Sequence, residues 1–146
     1  MNKKWDRRFV TLAKHIAGWS KDPSTQVGAV LAKGNKVVGL GYNGLPAGVK
    51  DKRSRLMNRA IRYAMTAHAE ANGLAMAGDK AQGATVYTWP LPPCSTCAAA
   101  LIQAGVRRVV APTPPPDLAQ RWGASLKLAQ AMFREAGVKV EMLDDR

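Results

Sequence analysis

An α/β fold, with a mixed β-sheet covered by helices on both faces, is what this 146-residue sequence predicts. Three observations point to it. Short apolar runs bounded by Gly, Pro and Asn alternate with longer segments of helical periodicity. The first two apolar runs flank a tight turn and so form a hairpin. Each later run is separated from the next by a helical segment, which makes the sheet mixed and places helices on both faces. The length suits one domain over residues 1–146; a chain of this size buries roughly 70% of its unfolded surface.

Taken in order, Trp5, Phe9, Leu12, Ile16 and Trp19 recur at alternating spacings of four and three, one face of an amphipathic helix that reads as core. His15 lies one place off that stripe and reads as a surface histidine. Asp22-Pro23 is a turn signal, so the helix is predicted to stop near Ser20. Residues 27–31 form a compact apolar strand, 33–36 a hairpin turn and 37–42 the returning strand. A Gly- and Pro-rich loop covers 43–48. Residues 53–63 read as one short helix, and another is predicted over 66–77, stopped by Gly78. Residues 84–89 are a strand, closed by the prolines before Cys94. A helix over 94–105 and a strand over 107–111 follow. The four prolines within 112–116 form a stiff connector, with too little chain after them for a second core. Residues 118–136 form a helix carrying Trp122, Leu126, Ala129 and Phe133 on one stripe, and 138–141 close the order as a strand.

Composition limits the partners. No stretch reaches the about 20 apolar residues of a membrane span, and no apolar run follows Lys3 and Lys4, which argues against a secretory signal. Two cysteines three apart do not make a disulfide framework, so a reducing, cytoplasmic location is expected. The net charge of +12 favours an anionic partner, nucleic acid or a phosphorylated small molecule. Much of the excess is local: Lys50, Lys52, Arg53, Arg55, Arg59 and Arg62 face the single acid Asp51. Aromatic residues do not interleave these charges except at Tyr63, which argues against a nucleic-acid surface and for a solvated basic segment or a phosphate site.

Two short pieces carry the chemistry: His68-Ala69-Glu70 and Pro93-Cys94-Ser95-Thr96-Cys97. One imidazole and two thiols make three zinc ligands, and three protein ligands leave an open fourth position, the mark of a catalytic zinc. Cys94 and Cys97, at i and i+3, point to one side of a helix's first turn. The partial positive charge there favours thiolate, the metal-binding form. Glu70, two residues from the imidazole, is placed to shuttle protons rather than to bind metal. Either motif alone is weak; together and in this order they form the signature of a zinc deaminase.

At this point the chain resembles the cytidine and deoxycytidylate deaminase family, and most closely its deoxycytidylate branch. Residues 20–29, reading SKDPSTQVGA, and 41–46, reading GYNGLP, are similar to that branch's motifs, as are the two zinc signatures. The resemblance implies a three-layer α/β/α sandwich around a mixed five-stranded sheet, Zn2+ on His68, Cys94 and Cys97, and Glu70 as general acid and base. It implies hydrolytic conversion of dCMP to dUMP, with Asn43 contacting the nucleotide; Ala69 is a further candidate for substrate contact. For the phosphate, Lys21, Ser24 and Thr25 are one candidate set and Arg55 with Arg59 another. Trp89 is a candidate wall for the base. The branch also implies dCTP and dTTP as effectors and a homo-oligomer, a hexamer in some members.

Three alternatives stay open in the sequence. The +12 charge and the shared HAE and PCxxC signatures suit a tRNA adenosine deaminase. A CxxC at a helix start is also a dithiol oxidoreductase pattern, although that leaves His68 and Glu70 without a role. A zinc-stabilised binding protein would hold metal without turnover.

Overall fold

The computed structural model describes residues 2–144. Its order is α1 (Lys3–Ala17), β1 (Gly28–Lys33), β2 (Lys36–Tyr42), α2 (Arg53–Leu56), α3 (Arg59–Met65), α4 (Ala69–Ala77), β3 (Thr85–Trp89), α5 (Ser95–Gln103), β4 (Arg108–Pro112), α6 (Pro116–Glu135) and β5 (Lys139–Leu143). Among the described residues five strands form one sheet in the order β2-β1-β3-β4-β5. β1 runs antiparallel to both β2 and β3, while β3, β4 and β5 run parallel. The sheet is therefore mixed, as the initial hairpin predicted.

α1 covers one face, and α4, α5 and α6 lie on the other. Alternate residues of each strand serve the two layers. Val30, Ala32, Tyr87 and Val110 meet Phe9, Val10 and Ile16 of α1. Ala29, Leu31, Val86 and Val109 meet Ala69, Leu101 and Phe133 of the opposite layer. Central strands buried on both faces read as continuous apolar runs, which is why β1 and β4 were recognisable without alternation.

Several boundaries differ from the sequence reading. α1 ends at Ala17, not near Ser20, because the amides of Gly18, Trp19 and Ser20 each turn back to the carbonyl three residues earlier. That tightening takes Trp19 off the stripe. It is 54% exposed and stacks edge-on with Tyr42 instead of entering the core. His15 is exposed, as expected. The segment 53–63 is two helices, because the Asn58 side chain accepts the Ile61 amide and caps a new start. Thr66 ends α3 by donating its hydroxyl to the Arg62 carbonyl, and Ala67 bridges to Gly44. α4 therefore begins at Ala69, with extended backbone carrying His68 into it.

A buried ionic network, absent from the sequence reading, joins α1 to the parallel half of the sheet. Asp6 is 1% exposed and accepts from Arg108 at 2.9 and 2.6 Å and from the Tyr87 hydroxyl at 3.2 Å. Arg108 also donates to Glu141 at 2.8 and 3.3 Å. Burial, followed by the Asp6 charge, pushes the Tyr87 hydroxyl up to about 12, so it stays a donor. Hydrogen bonding from Arg108 holds Glu141 down to about 2.

Two outcomes follow for stability. Asp6→Ala leaves the buried Arg108 guanidinium with Glu141 as its one remaining carboxylate and is expected to cost about 3 kcal/mol in urea unfolding, part of it recovered by adding Arg108→Met. Because the folded carboxyl of Glu141 titrates below its unfolded value, its stabilisation is present above the ordinary carboxylate range. It is lost as pH falls from there toward about 2. Glu141→Gln should therefore flatten the fall in Tm across that acid window while lowering Tm at pH 7.

Candidate active site

Glycines set how α4 sits on the sheet. A Cβ on Gly41 would stand 2.5 Å from the Ala69 carbonyl oxygen and 2.7 Å from the Gly73 amide; one on Gly39 would stand 2.5 Å from the Gly73 carbonyl. The helix backbone thus lies directly against β2. His68 is the N-cap residue of α4 and Cys94 that of α5. The two helix starts meet, and the ligand atoms of His68, Cys94 and Cys97 lie within 4.8 Å of one another.

The distances suit a metal. His68 Nδ1 is 3.6 Å from Cys94 Sγ and 3.3 Å from Cys97 Sγ. Tetrahedral zinc, with Zn–N near 2.0–2.1 Å and Zn–S near 2.3 Å, holds nitrogen and sulfur about 3.6 Å apart. Both cysteines are free thiols. Hydrogen bonding from Cys97, and then from His68, lowers the Cys94 thiol well below its usual range, while the hydrogen bond with Cys94 and burial hold the proton on Cys97. A bound cation would displace that proton, since both sulfurs ligate metal as thiolates. Hydrogen bonding to Cys94 raises His68.

His68 and Cys94 stand in the wall of a cavity of about 250 Å3, with Cys97 beside them. Glu70 is in the same wall, in the first turn of α4 and buried. Burial pushes its carboxyl up to about 7. A buried carboxyl beside three metal donors has the means to hold and release a proton there.

A family profile described as "Cytidine and deoxycytidylate deaminase zinc-binding region" matches residues 3–113. The chain belongs to the cytidine and deoxycytidylate deaminase family. It is a hydrolytic deaminase with a zinc-binding region, and the His/Cys/Cys cluster fits Zn2+. It is 42% identical over 98% of its length to an uncharacterized deaminase in the luxG 3′ region of Aliivibrio fischeri, covering 96% of that protein. It is 36% identical to human deoxycytidylate deaminase over 73% of this chain, spanning 64% of the human protein. In fold it matches the crystal structure of dCMP deaminase from the cyanophage S-TIM5 in complex with dCMP and dUMP. The TM-score is 0.76 and the identity 22%, over 98% of this chain and 99% of that one. The α/β cytidine-deaminase-like architecture is common to both.

The remaining predicted residues of the deaminase fall in different places. Ser24, Thr25, Asn43 and Ala69 line the cavity. Asn43 is also a staple: its Nδ2 donates to the Thr25 carbonyl and its Oδ1 accepts the Val27 amide, both at 2.9 Å. One amide hydrogen of Asn43 remains for a ligand. Lys21 lies outside the lining, exposed and paired with Asp51 at 2.8 Å. Trp89 does not wall the cavity. Its ring sits under Lys14 Nζ at 4.8 Å and packs with the α1 layer, because it ends a strand on the side α1 covers. Arg55 donates to the Lys50 carbonyl and Arg59 stacks on Tyr63, both outside the lining. Arg62 is not on the basic surface at all; it is buried, with Nε 3.6 Å from Asp22.

Tyr63, Thr66, Leu91, Pro92, Trp122 and Ser125 were absent from the sequence reading as site residues, yet they line the cavity. Trp122 had been assigned to the core stripe of its helix. Its ring instead stands 6.3 Å from Tyr63, and the two close one side of the cavity. Only a count of aromatics in excess of the core's needs could have singled it out.

Cys94→Ser is expected to bind less than about 0.1 equivalent of zinc by elemental analysis, with unchanged far-ultraviolet circular dichroism, since a serine hydroxyl does not ionise to replace thiolate.

Proposed function

We propose that this protein converts dCMP to dUMP and ammonia by hydrolysis, as one zinc-dependent deaminase domain. The observation that carries the reading is a buried carboxyl, Glu70, in one cavity wall with His68 and Cys94, and with Cys97 at their side. The SKDPSTQVGA and GYNGLP stretches and the 36% identity to human deoxycytidylate deaminase support the nucleotide substrate. So does the fold shared with a phage enzyme that holds dCMP and dUMP.

In this reading His68, Cys94 and Cys97 hold the zinc. Bound zinc supplies a water acidic enough to act as a nucleophile at neutral pH. Glu70 would take a proton from the attacking water and pass it to the ring nitrogen as the oxygen adds to the ring carbon. It would then carry the second proton to the exocyclic amine, so that the carbon–nitrogen bond breaks and ammonia leaves. Asn43 and the Ala69 amide, unpaired within the first turn of α4, orient the ring. Leu91, Pro92, Tyr63 and Trp122 keep bulk water from it. Cytoplasmic location, oligomeric assembly and dCTP or dTTP as effectors belong to the same proposal. No helix among the described residues is long and apolar enough to cross a membrane.

The test is ammonia release by zinc-loaded protein from cytidine, CMP, dCMP, dCTP, 5-methyl-dCMP and deoxyadenosine, with dCMP expected to lead. Inert dCMP alongside an edited tRNA anticodon stem would replace the reading with a nucleic-acid deaminase. Glu70→Gln should keep its zinc and lose about 10²–10⁴-fold in kcat. Activity indifferent to Glu70, with a reversible two-electron couple at Cys94 and Cys97, would favour a dithiol oxidoreductase instead.

A further inference from the structure

The start of α5 carries both cysteine donors, so whatever fixes that turn fixes their separation. Helices α1 and α3 hold their own first turns. The side chains of their N-cap residues, Asn2 and Asn58, each accept an amide of the helix they begin. Cys94 is the N-cap of α5, and its side chain makes no such bond. Its sulfur is turned to the His68 imidazole instead, at 3.6 Å.

The missing bond comes from α6, which lies beyond the residues 3–113 that match the family. The Ser95 amide, first in α5, donates to Ser125 Oγ at 2.9 Å. The Ser125 hydroxyl donates in turn to Ser95 Oγ at 3.1 Å. One side chain thus grips both the backbone and the hydroxyl of the residue next to Cys94. Leu118, Trp122, Ser125, Ala129 and Phe133 recur at helical spacing, and Leu118, Ala129 and Phe133 are buried. Ser125 therefore sits on the inward face of α6, where a hydroxyl needs a partner.

We propose that Ser125 is a positioning residue for the zinc-binding turn, providing from α6 the cap that Cys94 lacks. The inference rests on the assignment of His68, Cys94 and Cys97 to zinc. A shift of Ser95 moves Cys94 directly and swings Cys97 through the same helix turn. A turn already held leaves less ordering for the ion to impose, so Ser125 raises affinity without touching the metal. α4 needs no such clamp, since its backbone lies directly against Gly39 and Gly41.

Chelator competition on zinc-loaded protein tests the role. Ser125→Ala is expected to weaken zinc binding about 3–30-fold, the usual effect of a lost cap expressed as a ratio. Alanine is the better helix former, so the change does not weaken α6 itself. Ser125→Thr keeps the hydroxyl and should stay within about twofold of the parent. Met132→Ala loosens α6 from the core at a residue outside this contact; it should lower Tm while zinc affinity holds within about twofold. In cobalt-substituted protein, Ser125→Ala should shift the thiolate-to-cobalt charge-transfer band, and Ser125→Thr should reproduce the parent band. Unchanged zinc affinity with an unchanged band in Ser125→Ala would overturn the role. So would equal losses of affinity in Ser125→Ala and Met132→Ala. A parent protein that binds neither zinc nor cobalt would overturn the ligand assignment, and this role with it.

Discussion

Helix α4 rests on the backbone of β2 with no room for a side chain between them, since a Cβ on either Gly39 or Gly41 would stand 2.5 Å from a helix carbonyl. That close contact fixes the level at which α4 begins. Its N-cap, His68, arrives beside the N-cap of α5, Cys94, and Cys97 lies in the first turn above it. Glu70 is carried under cover by the same helix turn. Moving α4 outward by one side chain would separate the imidazole from both sulfurs, because nitrogen and sulfur ligands on one zinc tolerate a separation near 3.6 Å only narrowly.

Around this floor, buried charge is arranged in two closed pairs. Asp6 and Arg108 lock α1 to the parallel strands, on the face away from the cavity. Asp22 and Arg62 lock the loop before β1 to α3, and with Asn43 they hold the wall that presents Ser24 and Thr25. Closed pairs of this kind are weak as net stabilisers but costly to break, so they fix position. Arg121, exposed on α6, has the hydroxyls of Ser24 and Thr25 for partners instead.

Local signals in the sequence were read well. The strands at 27–31, 84–89 and 107–111 lie within a residue or two of β1, β3 and β4, because strands buried on both faces are apolar throughout. Helix ends were less legible. The capping by Asn58 divided one predicted helix into two, and the tightened last turn of α1 exposed Trp19. Asp6 gave no sign of burial, since its partner Arg108 is 102 residues away. Aromatics misled in both directions: Trp89 packs under α1, and Trp122, placed on a core stripe, faces the cavity.

By itself, the sequence determined the donor set, for the spacing of Cys-x-x-Cys, and of Glu70 from His68, is a property of one helix turn. It also determined the alternation that makes the sheet mixed. Tertiary structure alone decided which cation stands beside Ser24 and Thr25. Lys21 is the near neighbour of Ser24 and Thr25 in the chain, yet Asp51 holds it elsewhere, and Arg121, 96 and 97 residues away, takes the place beside them. Helical and strand periodicity tells which side of an element is apolar; it carries no information on which remote element packs there, because that depends on the crossing of α6 over α5 and on space left by every layer beneath.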